Sequence, residues 1–146
     1  MKARKLACRL LCIGGIIELA IAGLHFLWPF DLVETGEYAV LTGQYRDLLL
    51  LSSLAIGLCL LVFGALSIYF SRRLFTGEKS ALIYSTSQAI LWGGRATGEL
   101  IFPVSVPIYF IENPTIFVLP LSFLLCLMFL APPLLWTASQ REGRTS

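Results

Sequence analysis

From Leu48 to Phe70 the sequence runs without a charged side chain. A helix over this run rises 1.5 Å per residue, enough to cross a hydrocarbon core of about 30 Å. Three further apolar stretches of similar length follow the same logic: Leu10–Trp28, Ala81–Phe102 and Thr115–Trp136. The spacing predicts an all-α protein, a four-transmembrane-helix bundle forming a single membrane domain over residues 1–146, with 137–146 as a polar tail. Trp28 and Pro29 are expected to close the first span, and Pro132 and Pro133 to kink or end the last turn of the fourth.

Composition agrees. Apolar residues make up 57% of the chain and charged residues only 14%, with a mean hydropathy of +0.80. A soluble domain of ordinary composition carries about 25% charged residues. A net charge of +2 gives no reason to expect a nucleic-acid partner. Cys8, Cys12, Cys59 and Cys126 form no CxxC pair and read as reduced packing residues. The N-terminus imitates a signal peptide, with Lys2, Arg4 and Lys5 ahead of an apolar run and Ala20-Ile21-Ala22 as a cleavage-like site. Glu18 interrupts that run, so the segment is read as a membrane helix.

The connections carry orientation. Lys2, Arg4, Lys5 and Arg9 precede or open the first span, Arg72, Arg73 and Lys79 fill the second connection, and Arg141 and Arg144 lie in the tail. The opposite side holds only Arg46. The excess of Lys and Arg predicts both termini and the middle turn in the cytoplasm. The expected location is the bacterial cytoplasmic membrane, as a multi-pass protein. The acidic connection 30–47 is expected outside, as a compact loop or short interfacial helix. Pro103 and Pro107 favour extended backbone over 103–114.

Four ionisable groups fall inside the expected spans: Glu18, His25, Arg95 and Glu99. Charged groups at the bilayer centre cost roughly 2.5–3.5 kcal/mol each on insertion scales, so they should be paired and face protein or water. Glu18 and His25 are two turns apart on one face of the first span. Gln88, Trp92, Arg95 and Glu99 follow +4, +3, +4 on one face of the third. With both spans running the same way, Arg95 is expected to pair with Glu18, Glu99 or both, with His25 beside Glu99. Two readings stay open. The cluster either locks spans one and three together, aided by the small-residue step Gly94-xxx-Gly98, or it lines an outward-opening pocket for a small amphiphile, a lipid headgroup or an ion. Ser53-xxx-Gly57 offers a second small-residue face. Trp92 reads as packing within this face.

One histidine with no CxxCH and no second ligand at metal spacing gives no haem or metal site, and no cofactor is expected. Ser85, Ser87 and Ser122 stand in no nucleophile motif. Trp28, Trp136 and Tyr109 suit the lipid–water boundary. The stretch GGIIELAIAGLHFLWP, with Glu18 and His25 ahead of a Trp-Pro stop, resembles the first helix of small DoxX-like four-helix membrane proteins, and the Arg95-xxx-Glu99 pair is similar in kind. The resemblance implies a four-helix membrane bundle of accessory type with links to redox complexes, and it carries over no catalytic residue. The expected function is therefore non-enzymatic: an accessory subunit or small-amphiphile binder in the lipid bilayer, partnered by another membrane protein or by further copies of itself. The alternatives are a small oligomeric proton- or ion-coupled transporter, with Glu18 or Glu99 as coupling carboxylate, and a membrane subunit of a redox complex.

Overall fold

The computed structural model describes residues 2–34, 43–76, 78–104 and 111–142. Four helices account for nearly all of them: α1 (Lys2–Glu34), α2 (Gly43–Phe75), α3 (Lys79–Ile101) and α4 (Thr115–Glu142). Ala3–Phe30, Gly43–Leu74 and Thr115–Ala138 are long and apolar enough to span a membrane, with mean hydropathies of 2.1, 2.5 and 2.3. α3 matches the expected third span in position but is not among these three. Ser85, Thr86, Ser87, Gln88, Arg95, Thr97 and Glu99 dilute its apolar content.

Registers along the helices give the bundle order. Gly15 packs on Gly64, and Gly57 on His25 and Phe26, so α1 and α2 run antiparallel. Ser85 meets Phe129 and Glu99 meets Thr115, so α3 and α4 do the same. α4 closes the ring against α1, where Phe129 covers Gly14 and the Arg4 guanidinium sits 4.4 Å from the Trp136 ring centroid. Tyr84 of α3 stacks on Phe70 of α2. α1 and α3 thus face each other across the diagonal.

The α1–α2 seam depends on missing side chains. A Cβ on Gly15 would come within 2.7 Å of the Gly64 carbonyl oxygen, and one on Gly64 equally close to that of Gly15. The helices touch backbone to backbone, as small residues permit in membrane proteins. Buried positions of α2 recur at Ser53, Gly57, Leu60, Gly64, Ser67, Ser71 and Leu74, the alternating four–three step of an interhelical seam. The expected contact at Ser53-xxx-Gly57 is part of it. Gly94-xxx-Gly98 is not a contact: a Cβ at either position meets nothing within 4 Å. That step lies on the outer side of α3, which corrects the expectation that it draws spans one and three together. Leu27, Ile90 and Leu127, exposed by 60, 70 and 62%, belong to an apolar exterior fit for lipid.

The prolines end neither α1 nor α4, so Pro29 is not the expected stop, and of the two outcomes expected at Pro132 and Pro133 the ending of the helix does not occur. α1 does not stop at Trp28 but continues through Pro29 to Glu34, and α4 continues through Pro132 and Pro133 to Glu142, so the expected polar tail starts inside a helix. A helical proline lacks the N–H that would serve the carbonyl four residues back. For Pro29 that carbonyl belongs to His25, and Ser53 of α2 donates its hydroxyl to it at 2.8 Å. For Pro133 it belongs to Phe129, and Ser85 of α3 donates to it at 2.6 Å. Neighbouring helices re-satisfy the freed groups, which is how membrane helices tolerate proline. At the other end of α3, Pro103 follows the last turn as expected. Gly77, residues 35–42 with Tyr38, and residues 105–110 with Pro107 and Tyr109 lie outside the described residues.

The α2–α3 turn is held by a local polar knot. Ser80 donates to Glu78 at 2.6 Å, and Arg73 pairs with Glu78 at 3.3 Å. These contacts, the Ser80 hydroxyl foremost, hold the Glu78 carboxyl below its ordinary range.

Candidate functional site

The six polar candidates of the sequence separate into two centres and a cavity between them. Glu18 is fully buried on the inward face of α1. Trp92 reaches across the diagonal from α3 and donates its indole N–H to Glu18 Oε1 at 2.9 Å. Ser67 of α2 lies 3.0 Å from Glu18 Oε2. Ser67 is in turn 3.0 Å from the Tyr84 hydroxyl, and Tyr84 donates to the Phe63 carbonyl at 2.6 Å. Gln88, buried beside Tyr84, leaves its Oε1 without a hydrogen-bond partner. Three helices therefore converge on one carboxyl group, and among the described residues no cation lies within ion-pair distance of it.

Glu99 is equally buried but otherwise opposite. Its Oε1 accepts the Thr115 hydroxyl at 2.6 Å and the Val104 N–H at 2.9 Å, and its Oε2 lies 2.7 Å from the Arg95 guanidinium. The Arg95 contact is an ion pair by distance, but no N–H is aligned on Oε2, which retains acceptor capacity. Thr115 opens α4 and Val104 follows α3, so Glu99 clamps the end of one helix to the start of the next. Of the two expected partners of Arg95, Glu99 pairs with it and Glu18 does not. His25 does not pair with Glu99: its Nδ1 donates to the Ile21 carbonyl of its own helix at 3.0 Å. The diagonal placement of α1 and α3 explains this. Among the described residues it is the long indole of Trp92 that bridges that distance at the level of Glu18.

Between the two centres lies a cavity of about 380 Å³ to which all four helices contribute. Its walls are mainly apolar, with Ile21, Leu60 and Leu121 among them, and its polar edge is formed by His25, Arg95, Trp92 and Ser122. The size and mixed lining match small-molecule sites, which run from about 300 to 1,000 Å³. A carbonyl only accepts, so the bond to Ile21 puts the ring proton of neutral His25 on Nδ1 and leaves Nε2 an acceptor. Ser122 donates to Val118 of its own helix. The Arg95 side chain is 40% exposed and has guanidinium donors beyond the one facing Glu99. The cavity thus offers one donor group and one acceptor at its polar edge and hydrocarbon elsewhere. Among the described residues no three His, Cys, Asp or Glu side chains converge as a metal site.

Reading the sequence missed Ser67, Tyr84 and Thr115. Tyr84 had a signal, since it stands four residues before Gln88 and extends the Gln88–Trp92–Glu99 face by one turn. Ser67 had a weaker one in the small-residue repeat of α2. Nothing local marked Thr115, which Glu99 meets only because α4 folds back on α3.

No family model matches this chain, and no curated protein or solved structure matches it.

Proposed function

We propose that this chain is a non-enzymatic four-span membrane protein that binds a small amphiphile in the cavity between its helices. α3 serves as the fourth span, its polar face turned inward. Both termini lie on the cytoplasmic side, following the Lys and Arg bias. The resemblance of the first span to DoxX-like proteins is in keeping with such a bundle.

One observation carries the reading: an apolar cavity of about 380 Å³ with Arg95 and His25 at its polar edge. Glu99 offsets the Arg95 charge at 2.7 Å, so the site favours a head group without net charge. An oxygen-bearing head accepts from Arg95 and donates to His25 Nε2, while a hydrocarbon tail lies against Ile21, Leu60 and Leu121. Burial of such a tail gains about 0.8 kcal/mol per methylene.

The test uses a brominated medium-chain alcohol as quencher of Trp92, in protein carrying Trp28→Phe and Trp136→Phe. Quenching that saturates, and that Arg95→Leu and the cavity-filling Leu60→Phe both weaken at least tenfold, supports the site. Quenching that rises linearly without saturation, as for partition into surrounding detergent, would overturn it. A brominated fatty acid in its ionised form is expected to bind less well than the alcohol.

A further inference from the structure

Glu18 and Glu99 have the same burial and opposite surroundings, and hydrogen counting distinguishes them. The Glu18 network contains three oxygen–oxygen contacts in a row: Glu18 to Ser67 at 3.0 Å, Ser67 to Tyr84 at 3.0 Å, and Tyr84 to the Phe63 carbonyl at 2.6 Å. Each hydroxyl has one proton. A carbonyl only accepts, so the Tyr84 proton lies in the short contact to Phe63. Gln88 does not compete for it, because its Oε1 has no partner. Ser67 must then supply the proton between itself and Tyr84. The contact between Glu18 and Ser67 is left without one unless Glu18 itself carries it.

We propose that Glu18 is a proton-binding site: its carboxyl group is neutral in the folded protein, with the proton on Oε2 donated to Ser67. All three contacts are then hydrogen bonds in one direction, from Glu18 through Ser67 and Tyr84 to Phe63. Oε1 remains a carbonyl-type acceptor for the Trp92 indole.

The neighbours supply no charge that would hold Glu18 ionised. α2 brings Ser67 and has no charged residue between Leu48 and Phe70; α4 has none between Thr115 and Thr137. From α3 come Tyr84, Gln88 and Trp92, while Arg95 is engaged by Glu99. His25, two turns along α1, is bonded to Ile21. An unpaired carboxylate in such a setting is costly to bury, and a proton removes that cost.

The chain ends at a backbone carbonyl, which cannot pass a proton on. Glu18 therefore holds a proton rather than conducting it through Tyr84. Its other partner, Trp92, is a wall of the cavity, so loss of the proton is felt there: Ser67 turns to the carboxylate, its bond to Tyr84 opens, and the indole bond strengthens.

Infrared difference spectra of the full-length protein test this without any ligand. A carboxylic-acid carbonyl band is expected at neutral pH, shifted in heavy water. It should be absent in Glu18→Gln and fully retained in Glu99→Gln. The amide introduced by Glu18→Gln can donate to Ser67 in place of the acid proton, so this variant is expected to fold. Ser67→Ala and Tyr84→Phe should move the band without removing it, which gives a readout independent of Glu18 replacement. A wild-type spectrum without the band, a band lost in Glu99→Gln, or a band insensitive to Ser67→Ala and Tyr84→Phe would each overturn the assignment.

Discussion

The hydroxyl of Ser85 donates to the carbonyl of Phe129 at 2.6 Å, and Phe129 lies four residues before Pro133. The same relation holds between Ser53 and His25, four residues before Pro29. In each case a serine on a neighbouring helix supplies the proton that a helical proline lacks. The prolines would otherwise leave buried acceptors unpaired in a low-dielectric interior, and the repair also fixes the rotation of one helix against another.

Ser85→Ala is accordingly expected to destabilise the protein by about 1–3 kcal/mol, the cost of an unsatisfied buried acceptor. Pro133→Ala restores an N–H to Phe129, so the double variant should recover most of that loss. A double-mutant cycle by chemical denaturation in detergent measures the coupling. Additive losses would show that Ser85 does something other than serve the proline.

The glycines separate into two kinds. Gly64→Ala places a methyl 2.7 Å from the Gly15 carbonyl oxygen and should cost about 1–3 kcal/mol through forced separation of α1 and α2. Gly94→Ala and Gly98→Ala meet open space, and should be neutral or stabilise by up to about 1 kcal/mol through helix propensity. Thermal unfolding of the three single variants decides this. A large loss at Gly94 would reveal a partner packed on the outer face of α3.

Arg95→Leu removes the ion pair but leaves Glu99 its bonds from Thr115 and Val104. The expected loss is about 1–3 kcal/mol, below the roughly 3–5 kcal/mol of breaking a fully buried ion pair. The guanidinium is 40% exposed, which favours the lower end of the expected loss. Thr115→Val should cost a similar amount and, combined with Arg95→Leu, more than the sum, because the carboxylate is then nearly stranded. Denaturation midpoints of the singles and the double give the comparison.

Topology has its own check. A reporter active only in the cytoplasm, fused after Glu142, should be active, and the same reporter inserted in the 35–42 connection should be silent. A reporter inserted at the α2–α3 turn should match the first. Silence at the turn would remove α1–α2 as a pair of spans in the proposed orientation.

Much of the fold could be read from the chain. Long apolar runs located α1, α2 and α4 to within several residues, because such segments satisfy their backbone in lipid as helices, and α3 was legible from a run that polar residues interrupt. Helix ends were less legible. Pro29 and Pro132–Pro133 look like breaks, and the serines that serve the carbonyls freed by Pro29 and Pro133 come from α2 and α3. Among the site residues, the face Gln88–Trp92–Glu99 was visible as periodicity, and Arg95–Glu99 as a helical i,i+4 pair.

By itself the sequence determined that buried carboxyls would exist, at Glu18 and Glu99, and that each would need partners. It did not determine which partners, because that depends on the order of helices around the bundle. Tertiary structure put α1 and α3 on the diagonal, gave Arg95 to Glu99, and handed Glu18 to Trp92 and Ser67. The physical reason is reach: helical spacing sets which side chains share a face, but only the packed bundle sets which faces lie within hydrogen-bond distance of each other.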